Sequence, residues 1–85
     1  MTQVDIYTQP LCGFCTAAVW LLRQKGAQIA EIDLGRQPER RAEMVQRAGG
    51  RRTTPQIFVG DTHVGGCDDL FELDRTGKLD ALLRG

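Results

Sequence analysis

Cys12 and Cys15, two cysteines three positions apart, constrain this 85-residue chain more than any other feature. Residues 4–8 alternate β-branched and aromatic side chains, which predicts a strand upstream, and residues 16–25 carry apolar side chains at helical spacing. A CxxC where a strand passes into a helix suits thiol–disulfide exchange. If the helix begins near Cys12, the two Cβ atoms lie on one face about 5–6 Å apart, near the separation that a disulfide bridges. The helix N-terminus also favours a thiolate there.

The same two cysteines would also fit half of a zinc site, or a pair of buried core residues. A structural zinc ion needs four ligands, and no second CxxC or HxxxH pair follows in the sequence. We therefore interpret the pair as redox-active and predict no metal site from spacing alone.

Length and composition predict one domain, spanning residues 1–85. Eleven Lys and Arg residues balance eleven Asp and Glu residues, so the charge favours neither nucleic acid nor a membrane surface as a partner. No apolar run reaches the length of a membrane span, and Met1 leads into the first strand without a secretion signal. Three cysteines are an odd number and do not indicate a secreted disulfide framework. Together these features predict a cytoplasmic protein.

The remaining elements follow from periodicity and from Gly and Pro positions. We predict strands at residues 28–34, 56–59 and 62–64, and helices at 38–48, from 68 onward and at 79–83. The order βαβα followed by ββα predicts an α/β fold with a small four-stranded mixed sheet flanked by helices. A CxxC beside a βαβ pattern is typical of the thioredoxin fold.

Three segments together resemble the glutaredoxin family, over essentially the whole chain. They are Tyr7-Thr8 leading to Cys12-Gly13-Phe14-Cys15, then Thr53-Thr54-Pro55-Gln56-Ile57-Phe58, and then Gly65-Gly66-Cys67-Asp68-Asp69-Leu70. The chain is most similar to short bacterial dithiol glutaredoxins of type 3, which also carry a cysteine in the third segment. The resemblance implies a glutathione-dependent thiol–disulfide oxidoreductase that reduces protein–glutathione mixed disulfides and protein disulfides. It implies no tightly bound cofactor, because glutathione is a co-substrate.

In a glutaredoxin, Cys12 corresponds to the nucleophile and Cys15 to the thiol that resolves a mixed disulfide. Thr54-Pro55 corresponds to the family's cis-proline position, which leaves the Thr54 main chain free to pair with the cysteine of glutathione. The resemblance therefore implies that the cysteinyl part of glutathione binds along the 53–55 segment.

The γ-glutamyl end of glutathione is expected at the start of the last long helix. Gly66 permits close approach of the backbone, the following N–H groups favour a carboxylate, and Asp68 and Asp69 suit an ammonium group. Plain helix capping is the alternative role for the two aspartates. The resemblance thus assigns glutathione binding to Phe14, Arg41, Thr53, Thr54, Pro55, Gly66, Cys67, Asp68 and Asp69.

One position departs from the family pattern. Relatives often carry a lysine shortly before the first cysteine, where this chain has Gln9. The glycine carboxylate of glutathione still needs a cation, and we expect Arg41 or Arg52 to supply it.

Five side chains have a further prediction each. Cys67 is interpreted as a small buried residue, with a third redox-active thiol as the alternative. Tyr7 and Phe14 are expected to flank the active-site groove, although pure packing suits Tyr7 almost as well. Trp20 is predicted to pack under its helix, and His63 to lie on the surface.

Two further functions remain open. The two residues between the cysteines, Gly13-Phe14, resemble those at the same positions of the motif in monothiol, cluster-binding relatives. Cys12 could therefore ligate a [2Fe–2S] cluster shared by two subunits and two glutathiones. The protein would then be a dimer, whereas the enzyme is expected to be a monomer. The other alternative is a glutathione-independent redoxin reduced by a flavoprotein. Expected partners of the enzyme are glutathione and disulfide-bonded or glutathionylated proteins, with ribonucleotide reductase as one candidate.

Overall fold

The computed structural model describes residues 2–85, so Met1 of the predicted domain lies outside the described residues. Within that range the chain alternates strands and helices in the predicted order. The elements are β1 (Gln3–Thr8), α1 (Gly13–Gln24), β2 (Gln28–Asp33), α2 (Arg41–Arg47), β3 (Gln56–Val59), β4 (Thr62–Gly65), α3 (Cys67–Arg75) and α4 (Lys78–Arg84). No helix in residues 2–85 is both long enough and apolar enough to cross a membrane.

The four strands form one mixed sheet in the order β2-β1-β3-β4. β1 and β2 pair in parallel and are connected in the chain by α1, while β3 pairs antiparallel to both β1 and β4. This arrangement confirms the predicted fold class, a small thioredoxin-like α/β sheet with a parallel crossover first and a hairpin second.

Each face of the sheet buries its own apolar cluster, because successive side chains of a strand point to opposite faces. Val4 and Ile6 of β1 join the cluster beneath α1, α3 and α4, together with Ile57 of β3. Tyr7 and Phe58 point the other way, into the cluster covered by α2. The CxxC segment lies in the loop after β1 and at the start of α1, so it is at the C-terminal end of β1.

The helix starts differ from the sequence expectations by a few residues. The α1 helix begins at Gly13 with Cys12 as its N-cap, so it does begin near Cys12, although its apolar repeat starts only at Thr16. A short 3₁₀ turn, Pro38–Arg40, precedes α2. The α3 helix begins at Cys67, one residue before the predicted start. Apolar periodicity does not detect these first turns, because Gly13 opens α1 and the two aspartates follow Cys67 in α3.

Candidate active site

Cys12 and Cys15 are joined by a disulfide bond, so the structure shows the oxidised chain. Their Cα atoms are 5.2 Å apart, because Cys12 caps α1 and Cys15 lies in its first turn. The N–H of Cys15 donates to the Cys12 sulfur over 3.2 Å. In the reduced chain this N–H and the positive helix N-terminus both favour a thiolate at Cys12.

The two sulfurs differ in their access to solvent. Cys12 is half-buried, whereas Cys15 is only 4% exposed and packs under the helix. An incoming disulfide therefore reaches Cys12 first. Cys15 is within bonding distance of Cys12 but is shielded from anything larger.

The loop before β3 faces the Cys12 sulfur. The Thr54–Pro55 peptide bond is cis, as predicted from the family resemblance. The carbonyl oxygen and the Oγ1 of Thr54 each lie 3.8 Å from Cys12 Sγ. Pro55 is buried, while Thr53 is exposed. A peptide held at the Cys12 sulfur therefore lies within reach of the Thr54 main chain.

The first turn of α3 forms the far end of the site, and Asp69 is its cap. The Gly66 N–H donates to Asp69 Oδ2 over 2.8 Å, and Arg51 Nη1 lies 3.3 Å from the same oxygen. These two contacts, the Gly66 N–H foremost, lower the pKa of the Asp69 carboxyl. The capping role expected as the alternative for the aspartates is thus present at Asp69, while Asp68 is exposed beside it.

Gly65 makes this turn possible. Its φ of +112° lies in a region that side-chain-bearing residues rarely adopt. A Cβ on Gly65 would collide with the Asp69 carboxylate and would lie 2.8 Å from Arg51 Nη1. The bare backbone therefore lets Arg51 and Asp69 meet over the end of β4.

A groove of about 390 Å³ runs from the cis-proline to the start of α3, and we call it the Pro55 groove. This volume is in the range of small-molecule sites. Eight of the nine residues that the sequence assigned to glutathione line it, and the ninth wall residue is Arg51. The lining is Phe14, Arg51, Thr53, Thr54, Pro55, Gly66, Cys67, Asp68 and Asp69.

Arg41, the remaining predicted residue, lies in a neighbouring groove of about 510 Å³, the Arg41 groove. It shares Phe14, Thr53 and Thr54 with the Pro55 groove and is also lined by Gln9, Leu11, Cys12, Gly13, Arg41 and Arg52. Arg41 donates to the Gln9 side chain over 3.0 Å and to the Arg52 carbonyl over 3.3 Å. Both arginines proposed for the glycine carboxylate therefore line the same groove as Cys12.

Cys67 is a buried thiol at the start of α3, 9% exposed. Burial, and then the neighbouring carboxylate of Asp68, raise the pKa of this thiol. A protonated thiol is a poor nucleophile. The position fits the small buried residue expected from the sequence better than it fits a third redox thiol.

Two side chains lie elsewhere than expected. Trp20 is 57% exposed, so the prediction that it packs under its helix is wrong. The buried stripe of α1 runs through Cys15, Ala18, Leu21 and Leu22 instead. Trp20 lines a third groove beside the disulfide. Tyr7 lines neither the Pro55 groove nor the Arg41 groove and is fully buried, which agrees with the packing alternative.

His63 lies on the surface as predicted, yet its ring is held in place. It stacks on Phe58 at a centroid distance of 4.7 Å and hydrogen-bonds to Gln56 over 2.8 Å. Sequence reasoning missed this contact and the groove position of Arg51. The sequence did place Arg51 and Arg52 side by side, but only the backbone shows which of them turns toward α3.

This chain is similar to known proteins both in sequence and in structure. A family model described as glutaredoxin matches residues 4–64, which contain both cysteines and Thr54-Pro55. A glutaredoxin of Pseudomonas aeruginosa is 53% identical over 83 residues, covering 98% of each chain. Glutaredoxin 3 of Escherichia coli strain K12 is 45% identical over 84 residues, covering 99% of this chain and 100% of its own length. A crystal structure of a buckwheat glutaredoxin–glutathione complex superposes with a TM-score of 0.87 at 32% identity, covering 98% of this chain and 77% of that chain.

Proposed function

The chain belongs to the glutaredoxin family, and from this we propose that it reduces protein–glutathione mixed disulfides and protein disulfides with glutathione as the reductant. The family and the fold make it a thiol–disulfide oxidoreductase. The choice of glutathione is the proposal, and one observation carries it: the Pro55 groove leads from Thr54, which faces the Cys12 sulfur, to the capped start of α3.

The groove is complementary to glutathione along its length. Near Cys12, the Thr54 main chain offers the pairing that a cysteinyl peptide unit needs. At the far end, the free N–H groups of the α3 first turn and the Arg51 guanidinium suit an α-carboxylate. The exposed Asp68 carboxylate suits the adjacent ammonium. A γ-glutamyl head group carries both charges on one carbon, and the buckwheat relative was crystallised in complex with glutathione.

In the first reaction the Cys12 thiolate attacks the glutathione sulfur of a protein–glutathione mixed disulfide. The old sulfur–sulfur bond breaks, the target protein leaves as a thiolate and takes up a proton, and Cys12 is left bonded to glutathione. The thiolate of a second glutathione attacks the glutathionyl sulfur, which forms glutathione disulfide and returns Cys12 as a thiolate.

For a protein disulfide the Cys12 thiolate attacks one target sulfur and forms a mixed disulfide with it, while the target's own sulfur–sulfur bond breaks and its second sulfur leaves as a thiolate. Cys15 then passes its proton to that thiolate and attacks the Cys12 sulfur, which breaks the mixed disulfide and releases the first target sulfur as a thiolate that takes up a proton from solvent. The resulting Cys12–Cys15 disulfide is the state of the present structure. Two glutathiones reduce this bond and leave as glutathione disulfide.

Two cysteine variants test the proposal. We expect Cys12→Ser to abolish deglutathionylation of a glutathionylated peptide, because it removes the attacking sulfur. Cys15→Ser should keep much of that activity, because the first reaction does not use Cys15, but should lose reduction of protein disulfides. Equal loss of deglutathionylation in both variants would contradict the mechanism, and so would a wild-type chain that does not bind glutathione. The latter result would favour a redoxin reduced by a flavoprotein.

We propose Arg41 as the cation for the glycine carboxylate, because its guanidinium borders the groove that opens beside Cys12. In the structure it is bonded to Gln9 and to the Arg52 carbonyl. Replacement by Ala should weaken glutathione binding in the reduced chain. Arg52 lines the same groove and is the alternative cation, so a larger loss of binding on its replacement by Ala would assign the carboxylate to Arg52 instead.

A [2Fe–2S] cluster is a weaker proposal for the same sulfur. A cluster needs four ligands, and within residues 2–85 no three His, Cys, Asp or Glu side chains come together. Cys15 is also buried against the helix. One copy of the chain therefore does not fit a cluster, and only two copies with two glutathiones would supply the thiolates. Anaerobic reconstitution with iron, sulfide and glutathione tests this, and a colourless monomer would exclude it.

The proposal extends to the protein partners. Targets would be disulfide-bonded or glutathionylated proteins in the cytoplasm, ribonucleotide reductase among the candidates, with the enzyme acting as a monomer. Trapping with Cys15→Ser, which stops after the first exchange, would capture such targets as mixed disulfides.

A further inference from the structure

We propose that Gln56 and His63 are positioning residues that hold the 53–55 loop against Cys12, an inference that rests on the glutathione-dependent function proposed above. Neither side chain lines the Pro55 groove. Both act through Thr53, whose neighbour Thr54 faces the reacting sulfur.

Gln56 is the centre of this arrangement. It is the first residue of β3, follows the cis-proline directly, and is fully buried. Its amide nitrogen lies 3.1 Å from the Thr53 carbonyl oxygen and 3.3 Å from Thr53 Oγ1. Its amide oxygen lies 2.8 Å from His63 Nε2. A buried amide lowers stability unless its donors and acceptor are paired. Gln56 therefore needs both Thr53 and His63 as partners, and losing either hydrogen bond weakens the hold on the loop.

The chemistry of these partners fixes the direction of each hydrogen bond. A carbonyl oxygen only accepts, so the Gln56 nitrogen must face Thr53 and the Gln56 oxygen must face His63. His63 Nε2 therefore carries a hydrogen and donates it. Protonation of the ring would occur at Nδ1 and would leave this donor in place, so the contact holds the loop in both charge states.

The imidazole is placed by packing as well as by its hydrogen bond. Its ring lies over Phe58 with an angle of 20° between the planes, and the Arg47 guanidinium lies 4.1 Å from the same Phe58 ring. Phe58 in turn belongs to the cluster beneath α2. The loop beside Cys12 is thus connected to the core by a series of contacts. Thr53 is hydrogen-bonded to Gln56, Gln56 to His63, and the His63 ring stacks on Phe58.

Three variants separate the hydrogen bond from the packing. Gln56→Leu removes both bonds to the loop and the acceptor for His63. His63→Phe keeps a ring that can stack on Phe58 but removes the donor. His63→Gln restores an N–H donor without the ring. The measurement is KM and kcat for deglutathionylation of a glutathionylated peptide at fixed glutathione, together with Tm.

We expect Gln56→Leu and His63→Phe to raise KM roughly three- to tenfold with kcat little changed, because a displaced loop loses binding shared by the ground and transition states. His63→Gln should stay within about twofold of the wild type, since it keeps the donor. Wild-type KM in His63→Phe would overturn the proposal, as would equal KM values for His63→Phe and His63→Gln when both are raised.

A stability control and a spectroscopic test complete the design. Leu83→Ala removes a buried side chain of α4 in the cluster on the opposite face, so it should lower Tm without raising KM. A raised KM there would attribute the other effects to general destabilisation and overturn the inference. Nitrogen-15 NMR of the imidazole should show the Nε2–H tautomer in the wild type and loss of that preference in Gln56→Leu. A wild-type Nδ1–H tautomer would overturn the inference even if the enzyme is active. A wild type that has the Nε2–H tautomer but no deglutathionylation activity would overturn only the proposed function.

Discussion

Replacement of Gly65 by Ala tests whether the start of α3 depends on a bare backbone. The added Cβ would meet the Asp69 carboxylate and would lie 2.8 Å from Arg51 Nη1, at a φ of +112°. Either the backbone must rotate or the Asp69 side chain must leave the Gly66 N–H. Both outcomes disturb the groove end at which we place the γ-glutamyl head group.

The expected loss of folding free energy can be assembled from the parts. Holding Ala in this backbone region costs about 1–3 kcal/mol. Losing the Asp69 cap costs about 1 kcal/mol more, and the exposed Arg51–Asp69 pair contributes little by itself. The total is about 2–4 kcal/mol. For a domain of this size each kcal/mol lowers Tm by roughly 4–8 °C, so Tm should fall by roughly 10–30 °C.

Gly26→Ala is the matched control. Gly26 also has a positive φ, +71°, but a Cβ there meets nothing within 4 Å. It should cost only about 1 kcal/mol, the penalty for a left-handed residue. Urea and thermal unfolding of both oxidised variants, with the disulfide intact, measure the difference. Equal losses in the two variants would refute the reasoning, because the Asp69 and Arg51 contacts would then add nothing to backbone strain.

Three further substitutions have outcomes set by the structure. Because the pKa of Asp69 is lowered, its ionised form stabilises the fold above the unfolded-state pKa and stops doing so as pH falls through the folded-state pKa. Asp69→Asn should therefore be less stable than the wild type at pH 7, and urea titrations should show this difference in free energy of unfolding disappearing in acid. Tyr7→Phe removes the hydroxyl that is hydrogen-bonded to α2 from inside the core, and should cost about 1–2 kcal/mol in urea unfolding at pH 7; unchanged stability would contradict that account. Lys25 bridges Asp74 and Asp80 at 2.7 Å and 3.0 Å, so Lys25→Gln should lower Tm more at low salt than at high salt, and a salt-independent loss would argue against the ion pairs.

Much of the fold could be predicted because its elements have simple patterns. Residues 57–59 form a short apolar run within β3, a strand that is buried along its whole length, and the Gly60-Asp61 turn sets the hairpin register. Helix starts were less predictable. The first turns of α1 and α3 are fixed by caps at Cys12 and Asp69 rather than by apolar spacing, and a cap depends on backbone angles that a sequence does not display.

The sequence predicted a set of candidate site residues but not their arrangement. The family resemblance assigned nine residues to glutathione, and the structure brings eight of them into one groove. Arg51 was missed, because the chain passes through two glycines with positive φ, Gly49 and Gly50, before reaching it. Where an arginine points after such a turn depends on tertiary packing. The misplacement of Trp20 has a simpler cause, since any apolar residue in an amphipathic helix is read as buried unless its angle on the helix is checked.

The exposed Trp20 has a practical consequence. It is the only tryptophan in the chain, and it lines the same groove as Cys12 and Cys15. Disulfides quench indole emission at short range, whereas thiols do so less. We therefore expect reduction of the disulfide to change the Trp20 emission, so that each exchange at Cys12 can be followed in real time without a label.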